Sequence, residues 1–111
     1  MSVREITADD IESLAVGAWI LGTGGGGSPY LPLLNMRRLY REGYRVQLMD
    51  AADLDDDDLV GTVANMGAPL VGQERLTDSL TLARAVEVME KHLGHRFAAL
   101  MSMEIGGANG V

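Results

Sequence analysis

A glycine-rich stretch near residue 25 constrains this chain more than any other feature. Five of the six residues 22–27 are glycine. Glycine adopts positive φ readily and lets a ligand approach the main-chain N–H groups, but ordering it costs more conformational entropy than ordering any other residue. Apolar residues flank the stretch at 19–21 and 30–33. We therefore interpret residues 22–28, the glycine loop, as an ordered ligand-binding loop, with a flexible linker between two helices as the alternative.

The residues on either side of the loop predict two helices. Thr7 and Asp10 have the spacing of a shortened capping box. Apolar residues then recur on one helical face until Gly22, namely Ile11, Leu14, Ala15, Ala18 and Trp19. A second helix is expected to begin near Pro29 or Pro32 and to end at Gly43. Its buried stripe would contain Leu33, Met36 and Tyr40. The start of this helix favours an anion, because its N–H groups are unpaired there.

The remaining pattern predicts three strands and a third helix. Strands are expected at residues 45–50, 59–66 and 97–103, and the helix is expected between Thr77 and Gly94. The core-facing residues of this helix would be Leu82, Val86, Met89 and Leu93. This order predicts an α/β fold in layers, a mostly parallel sheet of about three strands with flanking helices, in one domain spanning 1–111. The connection between the first two strands is short for a parallel crossover, so an antiparallel arrangement of that pair stays open.

Composition narrows the classes of partner. The net charge of −7 disfavours nucleic acid and anionic membranes, and the absence of cysteine excludes disulfides and thiolate chemistry. Neither a signal peptide nor a long apolar run is seen, so a cytoplasmic location is expected. Aspartates 55–58 are interpreted as a solvated face, with a calcium site as the alternative. The histidines, His92 and His95, are expected to complement a helix dipole; no metal site is predicted and the cofactor stays unknown.

Several unusual segments are predicted to meet at one edge of the sheet. A helix that leads into a strand runs antiparallel to it, so the glycine loop is expected at the carboxyl edge, beside Asp50. Residues 67–69 and 104–107 arrive at the same edge if the later strands are parallel. Ligands in open α/β sheets bind outside this edge. The sequence therefore predicts a small-molecule site there, with the glycine loop within reach of Glu104 and Gly106 and with several of its glycines at positive φ.

Glu104 is the candidate catalytic residue, because its position between an apolar strand and two glycines would shield it partly from water. A carboxylate that caps neighbouring amides is the alternative. The candidate substrate-binding residues are Thr23, Gly24, Gly25, Gly26, Gly27, Gly67, Gly106, Gly107 and Asn109. Asn65 is a further source of neutral polar groups. Residues 22–27 also satisfy G-x-G-x-x-G, so a dinucleotide-binding domain is an alternative, provided that residues 16–21 form a strand.

Three segments together resemble a known family. They are residues 22–29, residues 66–69 with Glu74 following, and residues 104–110. Their order and spacing resemble the N-terminal domain of the S-methyl thiohydantoin desulfurase family, which occurs alongside hydantoinase and oxoprolinase proteins. The resemblance covers nearly the whole chain and about the first third of a typical member. It implies an enzyme that acts on a thiohydantoin or related cyclic imide and releases a methylthiol by hydrolysis.

Two functional hypotheses follow. In the first, the chain is the ligand-binding lobe of such a hydrolase, the glycine-loop amides stabilise a developing anion and Glu104 transfers a proton. In the second, it is a non-catalytic interaction lobe that docks a hydantoinase-like partner. Because a small sheet ending here would leave open edges, the chain is expected to be a fragment that meets a C-terminal domain or another subunit.

Overall fold

The computed structural model describes residues 3–67, 78 and 80–111. Within these residues there are three α-helices, which are α1 (Asp10–Gly22), α2 (Tyr30–Arg41) and α3 (Thr81–Leu93). The strands are β1 (Arg4–Ile6), β2 (Val46–Leu48), β3 (Val60–Val63) and β4 (Ala99–Ser102). Short 3₁₀ turns cover Ala51–Asp53 and Ala108–Gly110. The α/β class expected from the sequence is confirmed.

Helix α1 begins where the sequence places a capping box. The main-chain N–H of Thr7 donates to Oδ2 of Asp10 at 2.9 Å, and the N–H of Asp10 donates to Oγ1 of Thr7 at 3.3 Å. This reciprocal pair satisfies N–H groups that a helix start leaves unpaired. The helix then buries Ile11, Ala15 and Ala18, as its periodicity predicts.

Helix α2 packs against α1 and completes the core. Leu33 and Tyr40 are buried and form a cluster with Ile11 and Ala15, against which Met36 packs. The predicted helix start is confirmed, because Pro29 is the N-cap residue. The hydroxyl of Tyr40 donates to the main-chain oxygen of Ile6 at 2.6 Å and accepts from the N–H of Val46 at 3.1 Å. Tyr40 therefore links the core to both β1 and β2.

The sheet differs from the sequence expectation. In the described residues the strands form two separate pairs: β1 with β2, antiparallel, and β3 with β4, parallel. The mostly parallel sheet of about three strands is therefore not confirmed. Strand β1 was not predicted, because three residues carry too little periodicity to reveal it. Because β2 pairs with β1, it does not belong to the sheet that β3 and β4 form.

Helix α3 ends at Gly94 as predicted, with Gly94 at φ +69° and its N–H donating to the oxygen of Glu90. The predicted burial of its apolar face is wrong. Val86 is half-buried, whereas Leu82, Met89 and Leu93 are exposed. Amphipathic spacing shows that a face is apolar, but it does not show that anything covers it. The predicted cap at Thr77 lies outside the described residues.

Candidate functional site

The glycine loop turns sharply after α1. Thr23 lies in the left-handed region at φ +47°, and Gly24, Gly26 and Gly27 have φ of +90°, +75° and +79°. The N–H of Gly25 donates to the oxygen of Gly22 at 2.7 Å and closes the turn. In the part of the chain that the structure describes, the N–H groups of Gly24, Gly26 and Gly27 have no acceptor. The positive φ values expected for the loop are confirmed.

The segment after β4 lies directly against this loop. A β-carbon at Gly106 would stand 2.3 Å from the main-chain nitrogen of Gly22, and one at Gly107 would stand 2.5 Å from the carbonyl carbon of Gly26. The N–H of Gly107 donates to the oxygen of Ala18 at 2.8 Å, and that of Ala108 donates to the oxygen of Gly26 at 2.8 Å. Both contacts require backbones without side chains between them. The expected approach of the glycine loop to Gly106 is confirmed.

Glu104 reaches the same loop with its side chain. Its Oε2 lies 2.8 Å from the position that a β-carbon of Gly26 would occupy. Among the described residues, the carboxylate has no hydrogen-bond or ion-pair partner. The expected shielding from water is wrong, because Glu104 is exposed. It is an exposed carboxylate beside the glycine loop, and it caps none of the amides in the described part of the chain.

Asn109 has a structural task in this region. Its Oδ1 accepts from the N–H of Asn65 at 2.8 Å, and its Nδ2 donates to the oxygen of Asn65 at 3.0 Å. The side chain thereby pairs with both main-chain groups of Asn65, two residues beyond the end of β3. The hydroxyl of Ser102, at the end of β4, lies within hydrogen-bond distance of the main-chain oxygens of Glu104 and Asn109, and its one proton donates to one of them at a time. Sequence reasoning missed Ser102, whose only signal is a hydroxyl at the end of an apolar strand.

A cleft of about 160 Å³ opens beside the loop. Its lining residues are Trp19, Gly24, Gly25, Gly27, Ser28 and Gly107. Trp19 was predicted to face the core, but 49% of it is exposed and it forms an aromatic wall of the cleft. Glycine backbones, an aromatic side chain and Ser28 therefore surround one small space. Glu104 approaches this space from the side of Gly26 and is not among the lining residues described.

Two predicted contributors are not brought to the cleft. Gly67 has φ +149°, and the space where its β-carbon would lie is open. Asp50 accepts from the N–H of Ala52 at 3.0 Å and caps a 3₁₀ turn instead. Ala68 and Pro69, predicted to accompany Gly67, lie outside the described residues.

The dinucleotide alternative is wrong. Its fingerprint needs a strand before the glycines, whereas residues 16–21 belong to α1. The glycine loop therefore follows the C-terminus of a helix, whereas the loop that holds a pyrophosphate follows a strand.

Other classes of function leave few traces in the described residues. They contain no group of three or more histidine, cysteine or acidic side chains placed to hold a metal ion. Aspartates 55–58 are exposed, as expected of a solvated face. None of the described helices combines the length and apolar character that crossing a membrane requires.

Comparison with known proteins assigns the chain to a family. Residues 9–111 match the model of the S-Me-THD-like family, N-terminal domain. The chain therefore belongs to this family, which confirms the family and the domain that the glycine motifs indicated. No curated protein and no solved structure matches it.

Proposed function

We propose that this domain is the ligand-binding lobe of a hydrolase that acts on an S-methyl thiohydantoin or a related cyclic imide. One observation carries the proposal. Among the described residues, N–H groups of the glycine loop have no acceptor, and the carboxylate of Glu104, which has no partner there either, lies against Gly26. Donors without acceptors stabilise negative charge, and a free carboxylate accepts protons. The family assignment supports a thiohydantoin-related ligand.

The chemistry assigns one task to each group. Water attacks the ring carbon that carries sulfur, Glu104 removes one proton from that water, and negative charge develops on the ring. N–H groups of Gly24 and Gly27 stabilise this charge. The carbon–sulfur bond then breaks, and Glu104 returns the proton to the sulfur, which leaves as methanethiol. The second proton of the water ends on the ring nitrogen, and the ring keeps the oxygen as a carbonyl group.

Trp19 supplies the aromatic wall. A flat five-membered ring stacks favourably on an aromatic face, and this arrangement would present its edge to the N–H groups of Gly24 and Gly27. Thr23, which precedes these glycines, offers an exposed hydroxyl to ring substituents. Asn109 and Gly106 hold the cleft in shape and would not contact the ligand directly.

Tryptophan fluorescence can report ligand binding, since Trp19 is the only tryptophan in this sequence. Titration with an S-methyl thiohydantoin should change its fluorescence, and Gly25→Ala should weaken this response. Gly25 suits the test because an added β-carbon would meet only the oxygen of Gly22, at 3.3 Å. Gly17→Ala, in an open position of α1, is the control. A flat titration for the wild-type protein would reject the cleft as the ligand site.

Catalysis is tested separately on the full-length protein that carries this domain. Release of methanethiol should fall by about 100-fold or more in Glu104→Gln, the usual contribution of a general acid–base group. Binding measured through Trp19 should change little. Glu87→Gln, an exposed acid of α3, is the matched control. Turnover that survives the Glu104 change would remove this residue from the mechanism.

An interaction role is a second candidate, favoured by the apolar surface of the C-terminal half. Val88, Leu100 and Met101 are 68%, 53% and 55% exposed. Parallel strands normally have both faces covered, and a two-stranded sheet is marginal by itself. We propose that the C-terminal domain of the same protein covers this surface, since the family match is to an N-terminal domain.

Co-expression with the C-terminal domain tests this role. A stable complex that Leu100→Lys disrupts and Leu31→Lys leaves intact would support it; Leu31 is an equally exposed leucine of α2. Capture of a hydantoinase-like protein by the same surface, with no binding of the C-terminal domain, would replace the proposed occupant.

A further inference from the structure

A second cleft lies apart from the glycine loop. It has a volume of about 380 Å³ and is formed by β1, the start of α1, the last turns of α2 and the residue before β2. Three of its lining side chains are arginines, namely Arg37, Arg41 and Arg45, and its one lining carboxylate is Glu5. It shares no lining residue with the cleft beside Trp19. We call it the arginine cleft.

Arg45 is held in place before any ligand arrives. Its Nη1 donates to the main-chain oxygens of Tyr40 at 3.0 Å and Tyr44 at 2.6 Å. Its guanidinium lies 5.0 Å from the centre of the Tyr40 ring, a cation–π distance. Tyr40 is itself fixed by hydrogen bonds to both strands of the antiparallel pair. The position of Arg45 is therefore set by the core. Its Nε faces Glu5, and among the described residues its Nη2 is left for another acceptor.

The other two arginines are available. Arg37 has an ion pair with Glu12 at 3.3 Å, but both side chains are largely exposed, and such pairs contribute little. Arg41 has no ion-pair or hydrogen-bond partner among the described residues. Glu5 lies 3.8 Å from Arg45 and neutralises one charge. Within a chain of net charge −7, the lining of this cleft is positively charged.

We propose that the arginine cleft binds the phosphate or carboxylate group of a small molecule. The guanidinium group presents its N–H donors in a planar fork that matches both oxyanions. Among the described residues, a pre-positioned arginine, an arginine without a partner and an arginine in a weak pair surround one concave space. Arg37 and Arg41 lie one turn apart on α2, and Arg45 reaches the same cleft from the residue before β2. The site is independent of the activity proposed for the glycine loop.

The test is an NMR titration that observes the Nε–H groups of the arginines. The probes are inorganic phosphate and succinate, each compared with sodium chloride at equal ionic strength. We expect saturable shifts at Arg37, Arg41 and Arg45 with at least one probe. A tighter response to phosphate identifies a phosphate-bearing ligand, and a tighter response to succinate identifies a carboxylate-bearing one.

Variants locate the site. Arg41→Gln should weaken binding about tenfold, the typical effect of losing one charge-assisted hydrogen bond. Arg38→Gln makes the same charge change one residue from Arg37, where the side chain bonds Asn35 and pairs with Glu42 outside the cleft, and should leave binding nearly unchanged. Equal weakening by both variants would show only general charge attraction and overturn the proposal. Shifts no larger than those with chloride would overturn it as well.

Discussion

The N-terminal half of this domain, from β1 to β2, and its C-terminal half, from β3 onwards, differ in the burial of their apolar residues. Every buried core hydrophobic residue of the described chain lies between Ile6 and Tyr40. Helix α3 and strand β4 have similarly apolar stretches but contain no fully buried residue. Apolar periodicity therefore creates a core only where a second element lies against it, as α2 lies against α1.

The contact between the glycine loop and residues 104–108 joins the two halves. On one side it uses the end of α1, and on the other the segment that leaves β4. The proposed ligand cleft lies at this junction, so its shape depends on both halves. Substitutions at the junction should therefore have larger effects than substitutions within either half.

The largest effect is expected for Gly106→Ala. Its β-carbon would come within 2.4 Å of the Cα of Gly22, so two backbones would have to separate. We expect a loss of about 3 kcal/mol or more in the free energy of unfolding, at the upper end for overpacked sites. Urea denaturation measures it. Gly17→Ala should instead be neutral or stabilise by up to about 1 kcal/mol, because alanine favours the helix. Equal stability of the two variants would contradict a tight junction.

Tyr40→Phe tests the N-terminal half. It removes the hydroxyl that bonds Ile6 and Val46, and leaves both main-chain groups without this partner. We expect a loss of about 1–3 kcal/mol by urea denaturation. Tyr44→Phe changes an exposed ring and should have almost no effect. A Tyr40→Phe protein as stable as Tyr44→Phe would mean that the hydroxyl does not connect the core to the β1–β2 pair.

Asn109→Asp tests the C-terminal half through the hydrogen bonds between Asn109 and Asn65. The aspartate still accepts from the N–H of Asn65 but no longer donates to its oxygen. We expect a loss of about 1 kcal/mol, near the net value of one hydrogen bond. Asn35→Asp, on the exposed side of α2, is the control. If the Asn109 amide supports the fold, the midpoint of thermal unfolding is lower in Asn109→Asp than in Asn35→Asp. Equal midpoints would contradict this role.

The smallest effect concerns the start of α1 and depends on pH. Hydrogen bonds from the N–H and hydroxyl of Thr7, with Arg4 nearby, hold the pKa of Asp10 below its usual value of 3.8. The carboxylate therefore contributes stability above that value, and the contribution is lost as the pH falls through the lowered pKa.

Asp10→Asn should flatten the acid side of the stability profile accordingly. Asp9→Asn is the control, because the Asp9 side chain makes no capping hydrogen bond. Stability is measured by urea denaturation between pH 2 and about 6, where carboxylates titrate. An Asp10→Asn profile that parallels the wild type would show that this carboxylate is not linked to folding.

Local signals predicted most of the N-terminal half. The capping pair of Thr7 and Asp10, the periodicity of α1 and the stripe of α2 are all encoded within a few residues. Strand β1 was missed because its pairing with β2 links residues 40 to 44 positions apart, and no local pattern reports that. The exposure of α3 was missed for the same reason, since covering depends on a distant element.

The sequence predicted that the glycine loop lies close to Glu104 and Gly106, and the structure confirms this contact, whereas the catalytic and binding roles stay predictions. Two runs of glycine indicated that backbones approach closely, and Gly26 does meet Glu104 and Gly106. The prediction assumed one mostly parallel sheet, and this assumption was wrong, because β2 does not share a sheet with β4. The role of Trp19 as a cleft wall depends on which side of α1 the loop turns to, and helical periodicity does not contain that information.

Hydrogen exchange followed residue by residue by NMR tests the junction most directly. The N–H groups of Gly107 and Ala108 donate across it to Ala18 and Gly26, whereas those of Gly26 and Gly27 have no acceptor in the described chain. If the halves are firmly joined, Gly107 and Ala108 exchange as slowly as the interior amides of α1, and Gly26 and Gly27 exchange fast. Fast exchange at all four positions would show that the junction opens freely and that no preformed cleft exists.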